Sequence, residues 1–282
     1  MRIPCLMTMK RTPRAAVGVI ATLFAIVAAP VCAQFSAAIS PPRFELEVDA
    51  GKTQRSVLEI THGGQQPGAY RVYSADWSMA PDGNVSFDSE TPRAGSCRPW
   101  VALERREIKV APSAKMRFRF EVNVPADAAP QECRFALMVE SAEQAVGSGA
   151  LQIPMNGRIG VIVYVRVGGV RSGLQLLNSA TVVAEGQTVP ALNVVNNGGA
   201  TGRLAGFVNA TLPDGSVVDL APNSIPILPG MQRRVELLPL PPADRPTAAP
   251  PVLKWPLRIK GRLESGQRDT PPIEIDGTLT AP

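Results

Sequence analysis

The stretch Met116-Arg117-Phe118-Arg119-Phe120-Glu121-Val122-Asn123-Val124 alternates apolar and polar side chains through nine residues. A period of two is the pleat of a β-strand with one buried face, whereas a helix would scatter these apolar side chains around its circumference. Phe44-Glu45-Leu46-Glu47-Val48 alternates in the same way, and short apolar runs recur along the chain between turn formers. The 28 prolines and 24 glycines supply those turns, and no segment beyond the first thirty-odd residues sustains a 3.6-residue apolar period. An all-β protein is predicted.

The N-terminal segment is read as an export signal. Lys10, Arg11 and Arg14 form a basic region, Ala15 to Ala28 an apolar run, and Val31-Cys32-Ala33 a small-residue cleavage site, giving a signal peptide over 1–33. Met9 is an alternative start to Met1. The apolar run is shorter than the roughly 20 residues a membrane span requires, so no transmembrane segment is expected in the mature chain. Acylation of Cys32 would call for a small residue before it, and Val31 stands there.

Removing the signal changes the charge. The chain has 29 Lys and Arg against 24 Asp and Glu; Arg2, Lys10, Arg11 and Arg14 leave with the signal, so 25 basic residues face 24 acidic ones. The pI of about 9.3 therefore belongs largely to the signal. No basic stripe interleaved with aromatics remains, which argues against nucleic-acid binding. Cys97 and Cys133 are the mature cysteines, and an oxidising compartment favours a disulfide between them over two buried thiols.

Strands follow one another from Ile39. Ser56 to Ile60 returns after the turn at Asp49-Ala50-Gly51; Tyr70 to Tyr73 runs toward Trp77; Pro81-Asp82-Gly83-Asn84 turns into Val85-Ser86-Phe87. Trp100 to Leu103, Glu107 to Val110 and Cys133 to Val139 continue the series, and Ser141 to Gly149 reads as a polar loop. Leu151 to Val167 is a long apolar strand region, and Gly168-Gly169 is the natural boundary between domains at 34–168 and 169–282. The second half repeats the pattern from Val189, with turns at Asn196 to Gly199 and Pro213 to Ser216, strands through Ile259, and a Pro-rich loop from Pro239 to Pro251. Two immunoglobulin-like β-sandwich domains are predicted.

No catalytic constellation is found. His62 is the only histidine, beside Gly63 and Gly64, and reads as an exposed loop residue. Asp76, Asp82 and Asp88 lack the EF-hand pattern and read as solvated turn residues. GxSxG, HExxH and GxxxxGK[ST] are absent, and the two cysteines lack metal-ligand spacing, so no enzyme activity, metal or cofactor is expected.

Leu151-Gln152-Ile153-Pro154-Met155-Asn156-Gly157-Arg158-Ile159-Gly160-Val161 resembles the last strand of the first domain in the periplasmic pilus-assembly chaperones of chaperone–usher systems. Ser40 to Leu46 looks like that family's first strand; Pro99-Trp100-Val101, Ala111 to Lys115, and Val124 to Asp127 followed by Arg134 and Leu137 are in character, so the resemblance spans Ile39 to Val167. It implies a periplasmic protein that lends an edge strand to pilus or fimbrial subunits and works with an outer-membrane usher. Alternation sets Leu151, Ile153, Met155, Ile159 and Val161 on one face. Leu151, Ile153 and Met155 are expected to enter the subunit, and Ile159 to Val167 to pack in the chain's own core.

The resemblance further implies a carboxylate anchor. Arg43 matches the family's first-strand arginine. The family's lysine position falls on Gly160, and Arg158 is the candidate replacement. Pro154 removes one backbone donor from the lending strand. The competing expectation is an exported two-sandwich binding or adhesion accessory protein without chaperone activity.

Overall fold

The computed structural model describes residues 37–80, 83–141, 144–146, 153–184, 186–267 and 270–281. The export segment with Cys32, and also Asp82 and Leu151, lie outside them.

The first domain is two packed sheets, and its leading segment is shared between them. Strand β1 (Ala37–Ser40) pairs antiparallel with β3 (Thr53–His62), whereas β2 (Arg43–Glu47) joins the opposite sheet. Pro41 and Pro42 stand at the crossing, where neither can donate to a ladder. Next come β4 (Gly68–Met79), β5 (Val85–Asp88), a 3₁₀ turn at Arg98–Trp100, β6 (Val101–Leu103) and β7 (Glu107–Val110). The nine-residue alternation is seen in β8 (Lys115–Asn123), followed by β9 (Gln131–Ser141), β10 (Gln144–Val146), β11 (Ile153–Met155) and β12 (Arg158–Val167). One sheet runs β1-β3-β8-β6 and the other β2-β12-β9-β4, with β5 and β7 on the far side of β4. Trp100, expected in a strand, closes the 3₁₀ turn instead, because Pro99 favours the turn and the strand starts one residue later.

Alternation dictates the core. Phe118, Phe120 and Val122 of β8 point inward beside Leu58 and Ile60 of β3, while Arg117 and Arg119 face solvent. The opposite sheet contributes Val72, Phe135, Leu137 and Val139, together with Val161, Val163, Val165 and Val167 of β12. The apolar run before the domain boundary thus packs in its own core. Phe120 takes edge-to-face contacts with Phe44 at 5.1 Å and Phe135 at 6.4 Å between ring centres.

The second domain comprises β13 (Leu174–Ala184), β14 (Gln187–Asn196), β15 (Val208–Thr211), β16 (Val217–Pro222), β17 (Gln232–Pro239), β18 (Leu257–Leu263) and β19 (Ile273–Leu279). Their order is β13-β14-β17-β16-β15-β18-β19. Strand β17 pairs with β14 over Gln232 to Glu236 and with β16 over Leu237 to Pro239, so the sheet turns over at this strand into two layers around one core. The end strands meet where Thr181 Oγ1 donates to the Thr280 carbonyl. The chain is therefore all-β, in two β-sandwich domains. No helix among the described residues is long and apolar enough to cross a membrane.

Candidate functional site

The register of β2 on β12 defines the site. The two strands run parallel, with Arg43 beside Ile162 and Glu47 beside Arg166. On its other side β12 is paired with β9 along its whole length, from Arg158 opposite Glu140 to Val167 opposite Gln131. Among the described residues, Arg158 to Val161 consequently have no strand partner on the side β2 occupies further along. An open edge thus leads along β12 and ends at Arg43.

Beyond Arg158 the edge continues toward β11. Strands β10 and β11 form their own antiparallel ladder, with Val146 opposite Ile153 and Gln144 opposite Met155. Asn156-Gly157 breaks β11 from β12, so the strand expected to run through Leu151 to Val167 is two segments. The Ser141 to Gly149 segment, expected as loop, holds β10. Ile153 and Met155 lie in β11, with Pro154 opposite Ala145.

The two anchor candidates are not brought together. Arg43 lines a cleft of about 600 Å³ between the domains, with its side chain half-exposed and its Nε donating to Glu45. Arg158 begins β12 opposite Glu140, four residues from the position facing Arg43, and its charge helps hold the Glu140 carboxyl below its ordinary range. The leading causes of that shift are the hydrogen bond from Tyr73, opposed by burial, and the one from Arg71. Neither Arg158 nor Gly160 is among the residues lining that cleft, and Ile162 is the residue beside Arg43.

Sequence reading missed two further cations at the domain junction, Arg166 and Arg203. Arg166 is buried and pairs with Glu45 at 2.7 Å, Glu47 at 3.3 Å and Glu132 at 3.5 Å. Arg203 of the second domain donates to Glu45 and to the Tyr164 hydroxyl, both at 2.9 Å, and its guanidinium lies over the Tyr164 ring. Burial alone would raise the Glu45 carboxyl; the hydrogen bond from Arg166, the charge of Arg203 and the bond from Arg43 outweigh it and hold the group below its ordinary range. Glu132 accepts from both the Thr201 hydroxyl and its backbone N–H, a second tie between domains. A lone arginine in the apolar run Ile159 to Val167 is the one local signal that could have marked this junction.

Other expectations are corrected. His62 is buried at the end of β3, with Nδ1 2.5 Å from the Tyr70 hydroxyl and Nε2 2.7 Å from the Gln66 carbonyl. Asp76 is buried and accepts from the Arg93 backbone, Ser96 Oγ and Arg98, so it organises the 89–100 connection rather than solvating a turn. Asp88 is partly buried, paired with Arg93 and accepting from the Glu90 backbone. The two cysteines expected to pair, Cys97 and Cys133, are neighbours in the core of the first domain. Burial above all, and then the adjacent Cys133 thiol, push the Cys97 thiol far above its usual range. Among the described residues no cluster of His, Cys, Asp or Glu is placed to hold a metal ion.

No protein-family model and no curated protein matches the sequence. Among solved structures, the YadV chaperone is 9% identical, with 86% of this chain and 100% of that one aligned and a TM-score of 0.43. The class 5 fimbriae chaperone CfaA is 10% identical over 87% and 100%, with a TM-score of 0.45. The CsuC–CsuE chaperone–tip adhesion subunit pre-assembly complex of Acinetobacter baumannii gives 13% identity over 87% and 98%, with a TM-score of 0.42.

Proposed function

We propose that this chain is an exported, non-enzymatic chaperone of fimbrial or pilus assembly, acting in the periplasm by lending a strand to subunits that pass to an outer-membrane usher. The observation that carries the reading is the open edge of β12, which ends where Arg43 stands. A client strand laid on this edge in the same sense as β2 would meet β2 end to end and bring its last residue to Arg43. Its backbone would pair with β12, and its terminal carboxylate would meet a planar guanidinium suited to bidentate binding. Ile153 and Met155 on β11, with Leu151 before them, are the apolar side chains offered to a subunit groove. Each buried in a client would contribute roughly 1.5–3 kcal/mol. The division at Gly168-Gly169 and the signal over 1–33 belong to the same reading, as does the resemblance of Ile39 to Val167 to chaperone–usher chaperones.

Co-purification tests it. The chain expressed with its signal should carry a subunit out of the periplasm, and Arg43→Ala should lose most of that cargo. Recovery of the chain alone, with subunits from the same cell left insoluble, counts against it.

A further inference from the structure

Strand β4 has a single strand partner along Tyr73 to Ala75. There β9 alone pairs with it among the described residues, because β7 leaves after Arg71 and β5 joins only from Asp76. Strand β6 pairs with β8 and with no other strand among them. A pocket of about 520 Å³ is lined by both strands, through Tyr73 and Ser74 of β4 and through Val101 to Leu103 of β6. The other side chains lining it are Arg71, Ser89, Arg98 and Arg106, so three arginines and no carboxylate meet there among the described residues.

The three cations are unequally committed. Arg71 is exposed and donates from Nη2 to Glu140. Arg98 is nine-tenths buried, with its terminal nitrogens on Asp76 and on the carbonyls of Asp88 and Ser89, and its buried Nε has no acceptor. The Arg106 side chain makes no hydrogen bond or ion pair to a described residue, and neither do the hydroxyls of Ser74 and Ser89. Two of the three positive charges therefore face a carboxylate, and the third faces none. A buried guanidinium donor without an acceptor, an unpaired cation and two idle hydroxyls lack the same thing, an anion rich in acceptor oxygens.

We infer that this pocket binds a phosphate monoester, held by Arg71, Arg98 and Arg106 together with the hydroxyls of Ser74 and Ser89. A planar carboxylate is met by one guanidinium fork. A phosphate monoester offers three acceptor oxygens and close to two negative charges, which suits donors arriving from several chain segments. The volume is of small-molecule size and leaves room for a sugar-sized body beside the phosphate. The pocket shares no lining residue with the cleft at Arg43, so the inference does not rest on the strand-lending reading. A soluble sugar phosphate and a lipid headgroup present the same group, and the test separates them.

Calorimetric titration of the full mature protein compares glucose 1-phosphate with glucose, and flotation compares phosphatidylcholine vesicles with and without phosphatidic acid. Wild type should bind the sugar phosphate with Kd of about 1 mM or tighter and give no heat of binding with glucose. Arg106→Gln should weaken that binding about tenfold, the size of one charge-assisted hydrogen bond. Its thermal melt should match wild type, since the side chain holds no part of the fold. Arg106→Lys keeps the charge but not the fork and should fall between them. Capture by phosphatidic acid that is lost in Arg106→Gln supports the site and assigns it to a lipid surface. Binding of the sugar phosphate without capture supports it and assigns it to a soluble ester. Failure of wild type to bind either phosphate, or equal binding by wild type and Arg106→Gln, overturns the inference. Binding lost in Arg43→Ala but kept in Arg106→Gln overturns it too, by placing the phosphate in the cleft between the domains.

Discussion

The Phe87 ring lies over Gly160 so closely that a Cβ built on the glycine would stand 2.5 Å from the ring Cζ and 3.2 Å from the sulfur of Met138. A lysine has no room there. Gly160→Lys is expected to lower stability by about 1–3 kcal/mol through overpacking, a fall of several degrees in Tm, without increasing the subunit carried through co-purification. Thermal melts beside that co-purification check both halves; an unchanged melt would mean that Phe87 moves aside freely.

Cys97 and Cys133 touch in the core with almost no exposed surface. A buried thiol with a raised pKa is a poor target for an oxidant. The disulfide expected from export should therefore form only while the chain folds. Refolding with oxidised glutathione should give a bonded product, more stable by roughly 3–4 kcal/mol on the loop-entropy account. Adding the same oxidant to folded, reduced protein should leave both thiols titratable only after denaturation. Intact mass after alkylation in denaturant distinguishes the two preparations, and two thiols after oxidative refolding would end the disulfide idea.

His62 holds two hydrogen bonds in a place where Gly68 leaves room for its ring. His62→Ala withdraws both and opens a cavity between β3 and β4. A loss of about 2–4 kcal/mol is expected, seen as a lower denaturant midpoint at unchanged slope. A midpoint within error of wild type would show that the ring contributes nothing.

Ile153→Asp should abolish subunit capture, because the charge would enter the client's apolar groove at a cost of several kcal/mol. The same change should leave Tm of the isolated protein within about one degree, since among the described residues β11 pairs only with β10 and joins neither sheet of the first domain. Unfolding of the variant would place Ile153 in the protein's own core and remove the strand-lending role.

Glu45 sets an acid limit on the domain junction. A carboxyl whose folded pKa is depressed adds stability above its unfolded value, near 4.5 here, and that contribution drains away as pH falls through the lowered folded value. Glu45 is half-buried, so solvent screens part of the effect. Below about pH 5 the wild type should lose stability more steeply than Glu45→Gln, which has no such proton to take up. Parallel slopes for the two proteins would show that Glu45 holds nothing together.

Much of the fold was legible because alternation is local. Phe118, Phe120 and Val122 fell on the buried face, and Val161 to Val167 in the core, from spacing alone. The register between β2 and β12 is not local: no feature of Ser40 to Leu46 says that Arg43 meets Ile162 rather than Gly160. Arg158 was chosen for sharing a face with Gly160, and the two do share a strand, but Ile162 is the residue beside Arg43. The Arg203–Glu45 pair joins residues 158 positions apart in different domains, beyond the reach of any periodicity. His62 was misplaced for a related reason, since its partners Tyr70 and Gln66 close over it only once β3 and β4 have formed.

The second domain's end strands, β13 and β19, face one another, with Thr181 joined to Thr280. That contact is a side chain meeting a carbonyl, and among the described residues no backbone ladder joins the two strands. The second domain is thus a ribbon whose ends approach without being sealed, and each end strand keeps one row of backbone donors and acceptors for a partner to pair with.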